Sequence, residues 1–134
     1  MTADTAKCAR RRGMNNLHPV TELRNTLAAC GRLPDRASQF QEAIQEALEG
    51  AGWAVRREVD VPAMRLGNGR CGRVDLVGER AGVRIAIELD RRSPRQKSLR
   101  KLALIDATRV VIVRRQQPIN LVDGIWSFGL EVQP

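Results

Sequence analysis

The sequence predicts an α/β domain, a mixed β-sheet flanked by helices, in the order helix, strand, strand, strand, helix, strand. Three observations lead there. Val83, Ile85, Ile87 and Leu89 alternate with Arg84, Ala86, Glu88 and Asp90, which is the two-residue period of a strand. Val110, Val111, Ile112 and Val113 form an unbroken apolar run, as in a central strand covered on both faces. Between them Ser93, Pro94 and Gln96 supply an N-cap, an N1 proline and an N3 glutamine, the signature of a capped helix.

The remaining elements follow from pattern. Residues 19–30 read as a short helix, with Leu23 and Leu27 four apart and Gly31 as its stop. Ser38 is positioned to cap a second helix over 39–50, with Phe40, Ala43, Ile44, Ala47 and Leu48 on its apolar stripe. Glu42, Glu46 and Glu49 fall on the other side. Residues 53–59 read as a first strand. Pro62, Gly67, Gly69 and Gly72 then predict a loop.

The second strand is expected over 73–77, with Val74 and Leu76 facing one way and Arg73 and Asp75 the other. A turn at 78–82 joins it to the strand over 83–90, forming a hairpin with one apolar face. The helix opened by Ser93 runs to about residue 106 and buries Leu99, Leu102 and Ala103. A strand follows over 109–113, and 125–132 supplies a last edge strand. Residues 1–16, which include Arg10, Arg11 and Arg12, show no periodicity and read as a flexible basic tail. Residues 17–134 are then a single domain.

Composition narrows the function. The chain has 134 residues, 43% of them apolar, and a net charge of +8 from 23 basic and 15 acidic side chains. Such an excess attracts polyanions, so nucleic acid is the expected partner. With two Trp, two Phe and no Tyr, a single-strand binder built on stacked aromatic rings is excluded. No apolar stretch approaches the roughly 18 residues of a membrane span, and the opening residues lack the apolar core of a signal peptide. Cys8, Cys30 and Cys71 are odd in number and widely spaced, fitting neither a disulfide framework nor a zinc site. A cytoplasmic protein is expected.

The residues suited to chemistry are acidic. Asp75 lies on one strand, and Glu88 and Asp90 share a face of the next. Clustered carboxylates raise one another's pKa unless a cation shares them, and oxygen donors of this kind suit Mg²⁺ or Mn²⁺. Equally, acids on the open face of a hairpin can pair with Arg73, Arg84 or Arg91.

The ordered combination resembles the PD-(D/E)XK nuclease superfamily. The run Gly72, Arg73, Val74, Asp75, Leu76 and Val77, followed after a gap by Ile85, Ala86, Ile87, Glu88, Leu89 and Asp90, is similar to that superfamily's second and third elements. The helix with Phe40, Glu42 and Ile44, then Gly52, Trp53, Ala54 and Val55, is similar to its opening helix and first strand. The pattern is nearest to Holliday-junction-resolvase and very-short-patch-repair members, and it covers residues 38–115. The resemblance implies a restriction-endonuclease-like fold and a divalent-metal-dependent endonuclease acting on DNA. It implies Asp75 and Glu88 as metal ligands, the Leu89 backbone carbonyl as a further oxygen, and Glu42 or Glu46 as a supporting helix carboxylate.

One departure matters. The superfamily places a lysine two residues after the glutamate, where this chain has Asp90. Asp90 would then add a ligand or water contact. Lys97, or Lys101 one turn further, would supply the missing cation. If neither does, the chain is a nucleic-acid-binding protein without catalysis.

Arg91, Arg92, Arg95, Lys97, Arg100 and Lys101 follow with no intervening acid, and with Arg73 they form an expected phosphate-binding surface. His18 reads as a surface histidine. Cys71 lacks a histidine partner for a nucleophilic role, and Gly67 to Gly69 is a turn without the ending of a phosphate loop. Whether the chain pairs as a homodimer is left open by the sequence.

Overall fold

The structure, a computed structural model, describes residues 18–134. The expected basic tail with Arg10, Arg11 and Arg12 lies outside the described residues.

Two helices come first. α1 (Pro19–Ala28) begins with Pro19 in its first turn, where the missing N–H is harmless, and His18 Nδ1 accepts from the Val20 N–H at 3.1 Å. His18 is thus an exposed capping residue. Gly31 lies in the left-handed region just beyond the helix (φ 77°), where a Cβ would be strained.

α2 (Ala37–Gly50) starts two residues earlier than expected. Arg36 is its N-cap and no side chain caps it, so Ser38 lies inside the first turn. Phe40, Ile44 and Leu48, four apart, form its buried stripe. Each such fully buried side chain contributes roughly 1.5–3 kcal/mol.

β1 (Ala54–Arg65), β2 (Cys71–Arg80), β3 (Val83–Asp90), α3 (Gln96–Leu102), β4 (Thr108–Val113), β5 (Gln117–Val122) and β6 (Ile125–Gly129) follow. The strands form one six-stranded sheet in the order β1-β2-β3-β4-β6-β5. β1 to β3 are antiparallel neighbours, β3, β4 and β6 run parallel, and β5 pairs antiparallel with β6. The architecture is α/β, a mixed sheet flanked by three helices.

Two strand expectations are corrected at the sheet's edges. β1 continues through Pro62 where a loop was expected. Proline removes a ladder donor, which an edge strand tolerates because that side has no neighbour. β5 was not expected at all, and it takes the edge expected for 125–132, so that β6 lies between β4 and β5 and ends at Gly129. β5 contains Pro118 on the opposite edge and turns into β6 through Asp123 and Gly124, both with positive φ (53° and 78°) as a two-residue hairpin turn requires.

Both faces of the sheet are covered. Leu76, Ile85, Ile87, Val110, Ile112 and Phe128 pack under α1 and α2. Val74, Val77, Ala86, Val111 and Val113 pack with Leu102 of α3. The hairpin therefore does not have a single apolar face, because Ala86 and Glu88 are buried as well. Val74 and Leu76 also part company, joining opposite clusters although they are two residues apart. The β2–β3 ladder ends at Leu76 opposite Ile87, and β2 changes orientation at Asp75.

α3 is shorter than expected. It starts after Arg95, not at Ser93, with no side-chain cap from Arg95, and it ends at Leu102. Ala103 follows it and is exposed, contrary to expectation. Among the described residues no helix is long and apolar enough to cross a membrane.

Candidate active site

Where the β2–β3 ladder stops, side chains replace it. The Asp75 N–H donates to Glu88 Oε2 at 2.9 Å, and the Leu89 N–H donates to Asp75 Oδ2 at 2.8 Å. Each carboxylate thus takes a backbone donor that the antiparallel ladder would otherwise have used. This holds Asp75 and Glu88 together across the opening between the two strands. Glu88 is 1% exposed, although Glu is rarely buried unless paired.

Burial pushes the Asp75 carboxyl up to about 6, and repulsion from Glu88 adds to the rise. The Leu89 N–H and the Lys101 ammonium pull it back, while Glu58 pushes it further up. The charged pair is an electrostatic conflict that a cation would relieve.

Part of that cation is already present. Lys101 Nζ lies 3.0 Å from Glu88 Oε1 and donates to the Arg73 carbonyl at 2.6 Å. Its side chain is 10% exposed. Ser98, Lys101 and Leu102 are the buried residues of α3, whereas Lys97, at the flank of that stripe, is exposed. Of the two lysines expected to supply a cation, Lys101 is at the carboxylates and Lys97 is not.

α2 and β1 approach the same opening. Gln41 Nε2 donates to the Asp75 carbonyl and to Glu58 Oε2, each at 3.2 Å. Glu42 and Glu46, the expected helix carboxylates, are exposed. With Phe40 and Ile44 turned inward, residue 41 lies at the edge of the buried stripe and 42 and 46 point outward. Glu58 was not anticipated. It sits between the Arg57–Leu76 and Val59–Val74 pairs, across from Asp75, with φ 51°. A non-glycine residue in that region costs on the order of 1–3 kcal/mol and clusters at functional sites.

Asp90 is buried with Glu88 but serves α3. Its Oδ2 accepts from the Arg95 N–H at 2.9 Å, and its Oδ1 accepts from Arg95 Nε at 2.8 Å and Ser98 Oγ at 3.0 Å. This carboxylate caps the helix start where a Ser93 box was expected. Among the described residues no group of three or more His, Cys, Asp and Glu side chains is placed to hold a metal ion.

The expected basic surface is largely present. Arg91, Arg92, Arg95, Lys97 and Arg100 are exposed, and Arg73 is exposed with Asp60 at 3.4 Å. Lys101 belongs to the buried site instead. A cavity of about 800 Å³ lies elsewhere, between α3 and the β5–β6 hairpin, and includes none of the carboxylates just described.

Two carboxylates remain as the donor set. Asp75 Oδ2 and Glu88 Oε2 hold backbone N–H groups. Asp75 Oδ1 has no hydrogen-bond partner among the described residues, and buried Glu88 Oε1 faces the ammonium without an aligned hydrogen bond. Mg²⁺ and Mn²⁺ bind through one or two carboxylates, completing their shell with water and substrate phosphate. Asp75 and Glu88 fit that demand through Asp75 Oδ1, with Glu88 Oε1 shared with the Lys101 ammonium. In comparisons with known proteins, no family model and no curated protein matches the chain.

Proposed function

We propose that this protein is a divalent-metal-dependent endonuclease that hydrolyses DNA phosphodiester bonds, on a fold of the restriction-endonuclease type. One observation carries the reading: two carboxylates from neighbouring strands meet where the ladder opens, with a buried lysine 3.0 Å from one of them. The element order around them, helix, antiparallel strands, crossover helix and parallel strand, supports the same reading.

Asp75 and Glu88 would hold Mg²⁺ or Mn²⁺, with the Leu89 carbonyl as a further oxygen. The ion, when bound, supplies Lewis-acid stabilisation of charge on the phosphate. Lys101 does what the motif lysine does elsewhere. Its fixed ammonium faces the opening and offsets negative charge that builds on the phosphate oxygens, in a site where water screens little. Gln41 and Glu58 hold the Asp75 backbone and the neighbouring strand in position. Arg95, Lys97 and Arg100 hold the DNA backbone without reading bases.

A second reading, a DNA-binding protein without catalysis, is favoured by one contact. Glu88 Oε1 is already faced by Lys101, so the ammonium competes with an ion for that oxygen. Incubation of supercoiled plasmid and branched DNA with Mg²⁺ or Mn²⁺ separates the two. The endonuclease reading expects cleavage that Asp75→Ala and Glu88→Ala abolish. Cleavage indifferent to both substitutions would remove this site, and salt-sensitive binding with no cleavage under either ion selects the second reading.

A further inference from the structure

The carboxyl ends of β3 and β4 carry a second charged site. Each strand is followed by two arginines, Arg91 and Arg92 after Asp90, and Arg114 and Arg115 after Val113. The strands are parallel and in register, with Asp90 opposite Val113, so the two pairs leave the sheet side by side. All four line one cavity of about 340 Å³, together with Asp35 and Glu131. Neither Arg114 nor Arg115 belongs to the basic surface expected from the sequence. This end of parallel strands is where open α/β sheets commonly receive ligands.

The positive charge there is under-compensated. Arg114 is 13% exposed, and its buried Nε has no hydrogen-bond partner. The nearest acid, Asp35, is at 3.5 Å and half-exposed. Glu131 is engaged from outside by Arg32 at 3.2 Å. Arg24 Nε is likewise buried without a partner, and Arg24 lines an adjoining cavity of about 100 Å³ that shares Glu131. Buried N–H groups are normally hydrogen-bonded, so two Nε–H groups without a hydrogen bond at one end of the molecule, one of them facing Asp35 only at 3.5 Å, suit an anion. The planar guanidinium fork matches phosphate oxygens in particular.

We propose that this cavity is a phosphate subsite that holds a backbone phosphate of a nucleic-acid strand passing the Asp75–Glu88 site. Arg91 is three residues beyond Glu88 on an extended chain, which spans roughly 10 Å. Successive nucleotides of one DNA strand rise about 3.4 Å along the helix axis, so the pocket meets a phosphate a few nucleotides from the reacting one. The strand as the source of the phosphate rests on the function proposed above; the phosphate chemistry stands on the arginines alone.

The test measures binding of a short fluorescent duplex DNA to the full chain over a range of salt, in EDTA, so that the outcome is independent of metal and cleavage. Arg115→Ala, an exposed position, is expected to weaken binding several-fold at low salt and to make the salt slope shallower by about one counterion. Arg114→Gln is expected to do the same, with its folding checked by thermal melting. Arg56→Ala, exposed on β1 at the sheet's edge, should leave affinity and slope unchanged.

An Asp75→Ala protein should retain the Arg115 effect, so failure of the carboxylate reading and failure of this one are distinguishable. Wild-type affinity and slope in Arg115→Ala would overturn the proposal. Stabilisation of the wild type by millimolar inorganic phosphate, with DNA binding unchanged in Arg115→Ala, would assign the pocket to free phosphate and overturn the strand assignment.

Discussion

Replacing Asp75 by Asn tests the site through stability, without any assumption about activity. Asn keeps an acceptor for the Leu89 N–H at nearly the same shape and removes the charge that opposes Glu88. The Asp75 carboxyl is raised from 3.8 to about 6 by burial and by that repulsion. The sign follows from proton linkage. Between those two values the folded state holds a proton that the unfolded chain has released, so wild-type stability falls as pH rises through this window. The loss is complete above about 6 and absent below 3.8.

At 1.36 kcal/mol per pKa unit the full shift corresponds to about 3 kcal/mol. Asp75 is half-buried, and solvent screening reduces this to about 1–2 kcal/mol. Urea denaturation in EDTA from pH 4 to pH 8 should therefore find Asp75→Asn more stable than wild type by about that amount at pH 7, with the gap closing towards pH 4. If the pair binds an ion as proposed, Mg²⁺ or Mn²⁺ should reverse the order, since an ion at a hundred-fold excess over its Kd would stabilise the wild type by about 2.7 kcal/mol. Destabilisation of the ion-free protein at pH 7 by the substitution, or a gap that does not change with pH, would refute the account of the acid pair.

The other perturbations separate neighbours that look alike in sequence. Lys101→Ala leaves Glu88 buried without its countercharge and should cost about 3–5 kcal/mol in urea denaturation, while Lys97→Ala changes stability by less than about 0.5 kcal/mol. Asp90→Ala removes three acceptor contacts at the start of α3 and should destabilise by about 3 kcal/mol, with hydrogen exchange accelerated over residues 95–102. Gly129→Ala should cost at least about 1–3 kcal/mol in a thermal melt, because a Cβ there would overlap the Arg115 carbonyl lying against β6.

The parts of this fold legible in the sequence are those where burial is periodic. β3 begins and ends at the residues its alternation marked, and the β4 apolar run identifies a strand covered on both faces. The helical stripe of Phe40, Ile44 and Leu48 fixes α2 to within two residues. What the pattern missed is set by position in the sheet. Pro62 reads as part of a loop and nothing marks the strand that holds Pro118, yet both prolines lie on edge strands, and edge status is a tertiary property.

At the site, Asp75 and Glu88 were legible as a pair. That their bond replaces the ladder was not, because nothing local marks where two strands part. The resemblance points to Glu42 and Glu46 as helix acids, while the side chain that reaches Asp75 is Gln41, uncharged and one position before Glu42. Glu58 carried no signal, since nothing in the residues around it marks a left-handed backbone in the middle of a strand.

Under the proposed nuclease reading, Asp90 stands where the superfamily has its lysine, and α3 accounts for the acid there. A lysine two residues after Glu88 would leave the same strand on the same face and reach the carboxylates directly. Here that position faces the helix start, and its carboxylate binds the Arg95 N–H, the Arg95 side chain and Ser98. Ser98 and Lys101 are three apart, so fixing one fixes the direction of the other. Asp90 thereby positions Lys101 against Glu88 and the Arg73 carbonyl. The positive charge beside Glu88 thus comes from a helix and depends on an acid for its placement. An Asp90→Lys substitution would then bring a second ammonium beside Lys101 while releasing the helix that carries the first. On the nuclease reading, a lysine at this position should weaken the site, and DNA cleavage by Asp90→Lys should fall below that of the wild type.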